Sequence, residues 1–425
     1  MRSCILMMSG LLLLLSVNYN LLAQNVEPKL LTKGVFKHEI SFGDKNIPRG
    51  FMLNASNIPI KVNNNSDIYV FNGGIFSISG IINRIKIFDK NGNPKDSIVT
   101  SEIDYVPMIE MSPLDYLTIK SKNIGLFIIY NPNNELIQKH YPAALNFSVI
   151  LLKDYNINVE INPSEWRLIT LYDQRYIIEC NTLNSDNYKK DGEYYDYLFL
   201  ADSEKLTLLA QYKNTNTFMF QYTILRSDMF SYSSIIKFSI YELGEFHWAF
   251  YSTDKIIYTH TAHDVVYNND NTAELTFHII TTSGEKVKDV KFVYIPENIP
   301  DFRLADNQSL IIGNEENNIK YSDKKDLVGY VKNKLKEKKY LPFITRDMII
   351  DGDYLFVFPW SYQRDKYMLC IDITSGKCLS KSLLLQGDPG VSTIKDGYVY
   401  QTGTRQPGGY VVIEKYSIDK AVYGK

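Results

Sequence analysis

The sequence predicts an all-β fold of four-stranded antiparallel sheets repeated radially, and three observations carry that expectation. Short runs rich in Ile, Val, Tyr, Phe and Thr, punctuated by Asn, Asp and Gly, fill the chain from Lys37 to Tyr416. A hairpin device recurs along that length, and helical periodicity is nearly absent.

The hairpin device is plainest in "RIKIFDKNGNPKDSIV", Arg84 to Val99, where an apolar strand, an Asn-Gly turn and a more polar return strand follow one another. Relatives begin at Gly125, Leu198, Thr276 and Leu369. A type I turn followed by a left-handed residue explains Gly92, Gly284 and Gly376, because glycine has no Cβ to clash at positive φ. A second marker precedes most hairpins: an Asp leading into an aromatic-bearing run, at Asp67, Asp115, Asp196, Asp254, Asp353 and Asp396. Two of these intervals are nearly double the others, and degenerate copies at Lys153 ("KDYNINVEI") and Ala305 ("ADNQSLIIG") fill them. The period is then roughly 40–50 residues, the length of one four-stranded blade.

On "SDIYVFN" leading to "RIKIFDKNGN", and "DGDYLFVF" leading to "LCIDITSGKCL", the chain resembles secreted bacterial β-propellers with degenerate blades, akin to the NHL and TolB groups. No WD dipeptide, kelch double glycine or quinone-cofactor tryptophan motif recurs. The resemblance covers most of the mature chain, taken as one domain over residues 25–425, and implies six to eight blades, with seven expected. Propellers close by pairing a strand from one terminus with a blade from the other, which removes a sheet edge. "GVFKHEISF" at Gly34 is the expected partner of "GGYVVIEKYSI" at Gly408. One helical insertion is expected at residues 323–340, where Ser322 or Asp323 caps, Leu327, Val331 and Leu335 share a face, and Pro342 follows the stop. Its lysines read as a solvated outer face.

Residues 1–24 have the pattern of a secretory signal peptide: basic Arg2, an apolar core from Ile5 to Val17, and Ala23 ahead of Gln24. The apolar run falls short of the ~20 residues a membrane span needs, so no integral span is expected after cleavage. Cys4 precedes the apolar core, the wrong side for a lipoprotein anchor. The expected location is the periplasm or the surface of a bacterium.

With 46 Lys+Arg against 48 Asp+Glu, formal net charge −2, the chain has no field to draw in nucleic acid. Cys180, Cys370 and Cys378 are too few for a disulfide framework. A three-residue loop at "DITSGK" makes Cys370 and Cys378 diagonal neighbours, a spacing that fits a bridge poorly.

Candidate ligand-binding residues fall in two places. "YTHTAHDVVY" holds His260, His263 and Asp264, types that bind transition metals or catalyse when they converge. On an extended strand the two imidazoles point to opposite faces, and only a loop or helix would unite them. Satisfied strand histidines therefore outweigh a site, and neither a metal nor a cofactor is expected. "FPWSYQRDKY" places Trp360, Tyr362 and Arg364 where Pro359 suggests a strand ending, a setting that suits stacking on sugars or anchoring a protein. Trp166 and Trp248 read instead as inter-blade packing. Ligands should gather at the loops near Phe71, His260, Trp360 and Gln401.

There is no G-x-S-x-G, P-loop, H-E-x-x-H or dinucleotide fingerprint. The expectation is a non-catalytic platform for a protein or glycan partner in the cell envelope. Two alternatives stay open: a carbohydrate-active hydrolase or lyase with acids in the central funnel, and a structural subunit bearing a broad apolar patch.

Overall fold

A computed structural model describes residues 28, 30–43, 59–72, 84–99, 108–120, 126–140, 167–172, 175–181, 193–202, 206–215, 219–224, 234–239, 246–261, 263–296, 302–304, 310–312, 315–317, 345–359, 367–384, 393–405 and 410–425. The leader, the 323–340 insertion, the degenerate copy at Lys153, and Trp166, Trp360, Tyr362 and Arg364 lie outside them.

The chain is a β-propeller. Blade 1 is Ile60–Val62, Ile68–Asn72, Arg84–Phe88 and Pro94–Val99; blade 2 is Met108–Met111, Leu117–Lys120, Phe127–Tyr130 and Leu136–His140. Blade 3 is Arg167–Tyr172, Arg175–Asn181, Glu193–Ala201 and Leu206–Thr215. Blade 4 is Phe246–Phe250, Lys255–His260 resumed by Val265–Tyr267, Ala273–Thr281 and Lys286–Tyr294. Blade 5 is Thr345–Asp351, Tyr354–Pro359, Tyr367–Asp372 and Cys378–Leu383, with Leu30–Leu31 added in parallel at its outer edge. Blade 6 is Thr393–Lys395, Tyr398–Arg405, Tyr410–Ile418 and, from the other end of the chain, Phe36–Phe42.

The described blades number six rather than the seven expected, and the packing gives the reason. Blades 6, 1 and 2 share one core, around Phe42, Ile85 and Ile119. Blades 3 and 4 share another, around Ile177, Leu198 and Ile256, and blades 4 and 5 a third, around Phe277, Val357 and Ile371. Blades 5 and 6 meet through Phe356, Cys370 and Val399, and Thr118 of blade 2 donates to Thr170 of blade 3 at 3.0 Å. The ring closes on those contacts. The copy at Ala305 belongs to a separate three-stranded sheet, Phe302–Leu304, Leu310–Ile312 and Glu315–Asn317, which is not interposed between blades 4 and 5. A two-stranded sheet, Met219–Ile224 and Ser234–Ser239, likewise interrupts the sequence between blades 3 and 4 without separating them. The first long interval, Asp115 to Asp196, ends on a third strand instead of a turn, and the second, Asp254 to Asp353, spans the three-stranded sheet with no further blade between blades 4 and 5.

Closure runs as the sequence predicts: Phe36 pairs Ile418 and Phe42 pairs Ile413, antiparallel. Gly92, at φ 84, lies so close to the Phe42 ring that an added Cβ would overlap it, so the blade 1 hairpin needs glycine for space as well as conformation. A short 3-10 helix, Lys420–Tyr423, then buries Val422 fully between blades 5 and 6, where Ser380 donates to its carbonyl at 2.6 Å.

Five of the six marker aspartates sit in the turn between the first and second strands of their blades. These turns tie neighbouring blades together. Tyr251 donates to Asp353 at 3.1 Å, and the Asp396 and Gly397 amides donate to Asp351 at 2.7 Å each. The Asn64 amide donates to Asp115 at 2.9 Å, linking blades 1 and 2. The exception is Asp196, which lies within the third strand of blade 3. Cys370 pairs Ser380 and Cys378 faces Ile371 across a bulge, and the two remain thiols. Among the described residues no helix is long and apolar enough to cross a membrane.

Candidate functional site

The first strands of the blades approach one another around the axis, and those of blades 1, 2 and 3 carry charges that meet one another. Lys61, Glu110 and Arg167 are the charged residues of the short innermost strands of blades 1, 2 and 3. Their neighbours Ile60, Ile109 and Leu168 are buried, so strand alternation turns the charged side chains away from the apolar packing. The Lys61 ammonium reaches Glu110 Oε2 at 2.9 Å and Arg167 Nε donates to Glu110 Oε1 at 2.7 Å. Arg167 Nη1 lies 3.7 Å from Glu179 Oε2, and the same oxygen accepts the Trp248 indole N–H at 2.6 Å. The guanidinium also lies over the Trp248 ring, 4.7 Å from its centroid. Four blades thus contribute to one continuous chain of polar contacts.

The two acids differ electrostatically. Burial alone would raise both, but Arg167 and Lys61 more than offset it at Glu110 and hold that carboxyl at about 2. At Glu179 burial prevails over Arg167 and Trp248, with Asp196 and Glu110 adding to it, and the pKa is raised.

This chain continues outward along the seam between blades 3 and 4. Arg167 opposes Glu179, and Asp196 opposes Tyr212, so these four share one face of blade 3. Farther toward the first turn the same face is apolar, with Ile169, Leu171, Ile177 and Leu200. Blade 4 answers in kind: Phe250, Ile256 and Ile280 meet the apolar half, while Phe246, Tyr258, His260 and His278 meet the polar half. His247 lies on the other face of blade 4; its burial, then His260 and Arg167, lower its pKa to about 3, so it stays neutral.

The structure brings His260, His263 and Asp264 together by interrupting the second strand of blade 4. Pairing with the third strand stops after Tyr258–His278 and resumes at Val265–Leu275. Between them the chain makes one helical-type turn, with the His263 and Asp264 amides both donating to the His260 carbonyl at 3.1 and 2.9 Å. The imidazoles of His260 and His263 then lie 4.5 Å apart, edge to face, and His263 stacks on Tyr212 at 5.6 Å. The extended-strand expectation fails here, because a carboxylate caps the turn: Asp264 Oδ2 accepts the His260 amide at 2.7 Å. His260 is fully buried, with Nε2 3.5 Å from Asp196, and His263 is exposed. Among the described residues no group of three His, Cys, Asp or Glu side chains could hold a metal ion.

Of the other sequence candidates, Trp248 is packing between blades, as read. Phe71 is core, and Gln401 is buried with its amide on Glu414 at 3.1 Å. Sequence reasoning passed over Lys61, Glu110, Arg167, Glu179, Tyr212 and His278. The available signal was a lone charge in each of the short apolar runs "IPIKV", "MIEM" and "IIEC".

No protein-family model matches the chain, and no curated protein does. Among solved structures, the chain is similar to a member of the DUF4221 family from Bacteroides vulgatus, at 10% identity over 90% of this chain and 98% of that one, with TM-score 0.43. Virginiamycin B lyase from Staphylococcus aureus matches at 11% identity over 90% and 100% of the two chains, TM-score 0.36. A subtype N11 neuraminidase-like protein of a flat-faced bat influenza A virus matches at 10% identity over 94% and 97%, TM-score 0.37. The propeller assignment rests on the strand order and blade contacts above.

Proposed function

We propose that the chain is a non-catalytic binding platform, exported to the periplasm or surface of a bacterium, whose partner is a protein or glycan of the cell envelope. The export half of this reading is supported by the leader pattern of residues 1–24. The binding half is supported by the arc Lys61–Glu110–Arg167–Glu179, where charged side chains from three blades converge beside the axis instead of apolar packing.

One observation favours binding over hydrolysis. Both oxygens of Glu110 are taken, one by Lys61 and one by Arg167, and a carboxylate held at about 2 is a weak base. The hydrolase reading keeps one point in its favour, that Glu110 and Glu179 are driven apart in pKa as an acid–base pair would be. The two readings separate in one experiment. Mature wild type and Arg167→Met are used to capture partners from the native envelope extract, and both are assayed on a panel of oligosaccharides. The platform reading expects a stoichiometric partner on the wild type, lost or reduced at least tenfold on the variant, and no turnover. Turnover abolished by Glu179→Gln would replace it with the hydrolase. N-terminal sequencing of the exported chain checks the cleavage at Ala23 or Gln24.

A further inference from the structure

The turn at residues 260–264 is fastened by a carboxylate and a histidine that the platform reading does not use. Asp264 Oδ2 accepts from Tyr212 of blade 3 at 2.7 Å, while Asp264 Oδ1 lies 3.2 Å from His278 Nε2 on the third strand of blade 4. The other ring nitrogen of His278, Nδ1, lies 2.9 Å from Asp289 Oδ1 on the fourth strand. Lys286 holds the second oxygen of Asp289 at 2.7 Å. An imidazole has two N–H donors only when protonated; the neutral ring has one donor and one lone pair. With a carboxylate oxygen at each nitrogen, the arrangement is satisfied by the imidazolium alone.

We propose that His278 is a proton-operated latch: as the imidazolium it bridges Asp264 and Asp289 and pins the 260–264 turn over the blade 3–4 seam, and as the neutral imidazole it releases one carboxylate and loosens that turn. Loosening shifts the backbone that carries His260, whose Nε2 lies 3.5 Å from Asp196 at the polar half of the seam. The latch is independent of the platform reading, because its test reads the turn itself and not a partner.

Electrostatics agree with the geometry. Hydrogen bonding to Asp264 raises the His278 pKa, burial opposes it, and Asp289 adds to the rise. A raised folded-state pKa gives a contribution that is complete below the unfolded value of about 6.5 and is lost as the pH rises through the folded value. Among the described residues, the other groups on that face are Tyr258 from the second strand, Glu274 from the third, Lys286 and Lys291 from the fourth, and Tyr212 from blade 3. Burial, then Asp264 and Asp289, push Tyr258 up to about 12, and burial and Asp264 raise Tyr212 further, so neither phenol titrates in that window. Beyond them, among the described residues, lie the imidazoles of His260 and His263 and the carboxylate of Asp196.

The test is hydrogen exchange of the full mature chain, followed by mass spectrometry on the peptide spanning residues 260–264. Protection is corrected for intrinsic chemistry and measured from pH 6 to 9. Wild type is expected to lose protection at least tenfold as the pH rises through the His278 transition. Asp289→Asn removes one favourable charge and should move that midpoint down by about one pH unit. His278→Gln should be flat across the range, and His263→Gln should behave as wild type. Protection that is flat in wild type overturns the latch. So does a midpoint that stays put in Asp289→Asn, or one that disappears in His263→Gln.

Discussion

The seam between blades 4 and 5 and the seam between blades 3 and 4 are built from the same blade and serve different ends. The first is filled with Phe277, Leu275, Val357, Leu369 and Ile371. The second is apolar only in the half near the first-strand turn; its other half holds Arg167, Glu179, Asp196, Tyr212, His260 and His278. Burial of apolar surface stabilises at about 25 cal/mol per Å², whereas desolvating charges costs several kcal/mol that their pairing only partly returns. A seam that needs only to hold two sheets together has no reason to carry ions. The polar half of the 3–4 seam therefore carries ions that holding the two sheets together does not require.

That contrast can be broken at either seam. The largest effect is expected from Phe277→Ala at the apolar seam, which removes a fully buried ring and should lower the unfolding free energy in urea by about 3–5 kcal/mol. Next comes Gly376→Ala at the outer end of the same seam: Gly376 is at φ 72, and an added Cβ would overlap the Lys291 carbonyl of blade 4. Left-handed strain and backbone displacement together should cost up to about 3 kcal/mol, read as a shift of the urea midpoint.

At the polar arc, Glu110→Gln should cost about 2 kcal/mol at neutral pH, with its signature in acid. Glu110 is depressed from 4.5 to about 2, so its contribution is present above pH 4.5 and is lost as the pH falls toward 2. Stability measured down that range should fall less steeply in the variant; an unchanged slope would mean that Lys61 and Arg167 do not hold the ion. The smallest effect belongs to Lys291→Ala, which breaks an exposed pair with Glu274 and should leave the urea midpoint unmoved.

The fold was largely legible because its signals are local. Glycine at 92, 284 and 376 marks hairpins that require positive φ, and all three have it. The aspartate turns mark the entry to the second strand, and their repetition follows from the inter-blade hydrogen bonds they make. Counting blades by those markers overshot, since Asp196 repeats the motif on a third strand and the copy at Ala305 falls in a separate three-stranded sheet. The site was less legible. Lys61, Glu110 and Arg167 each show at most as a lone charge in their own strand, and only closure of the ring sets them side by side. The turn at 260–264 is too short for helical periodicity, and what stabilises it, Asp264 on the His260 amide with Tyr212 and His278 behind, comes from three strands and two blades.

The claim that the polar arc is kept for binding and not for stability is tested most directly by replacing it whole. A variant carrying Lys61→Met, Glu110→Met, Arg167→Met and Glu179→Gln exchanges the ion chain for uncharged side chains of similar length and leaves the Trp248 indole an acceptor, a change that is often neutral or stabilising when no charge is left unpaired. Urea unfolding and partner capture are measured on the same preparation. Unfolding within about 1 kcal/mol of wild type and loss of the captured partner are expected. A folded variant that still captures its partner would contradict the claim and move the binding surface elsewhere on the ring.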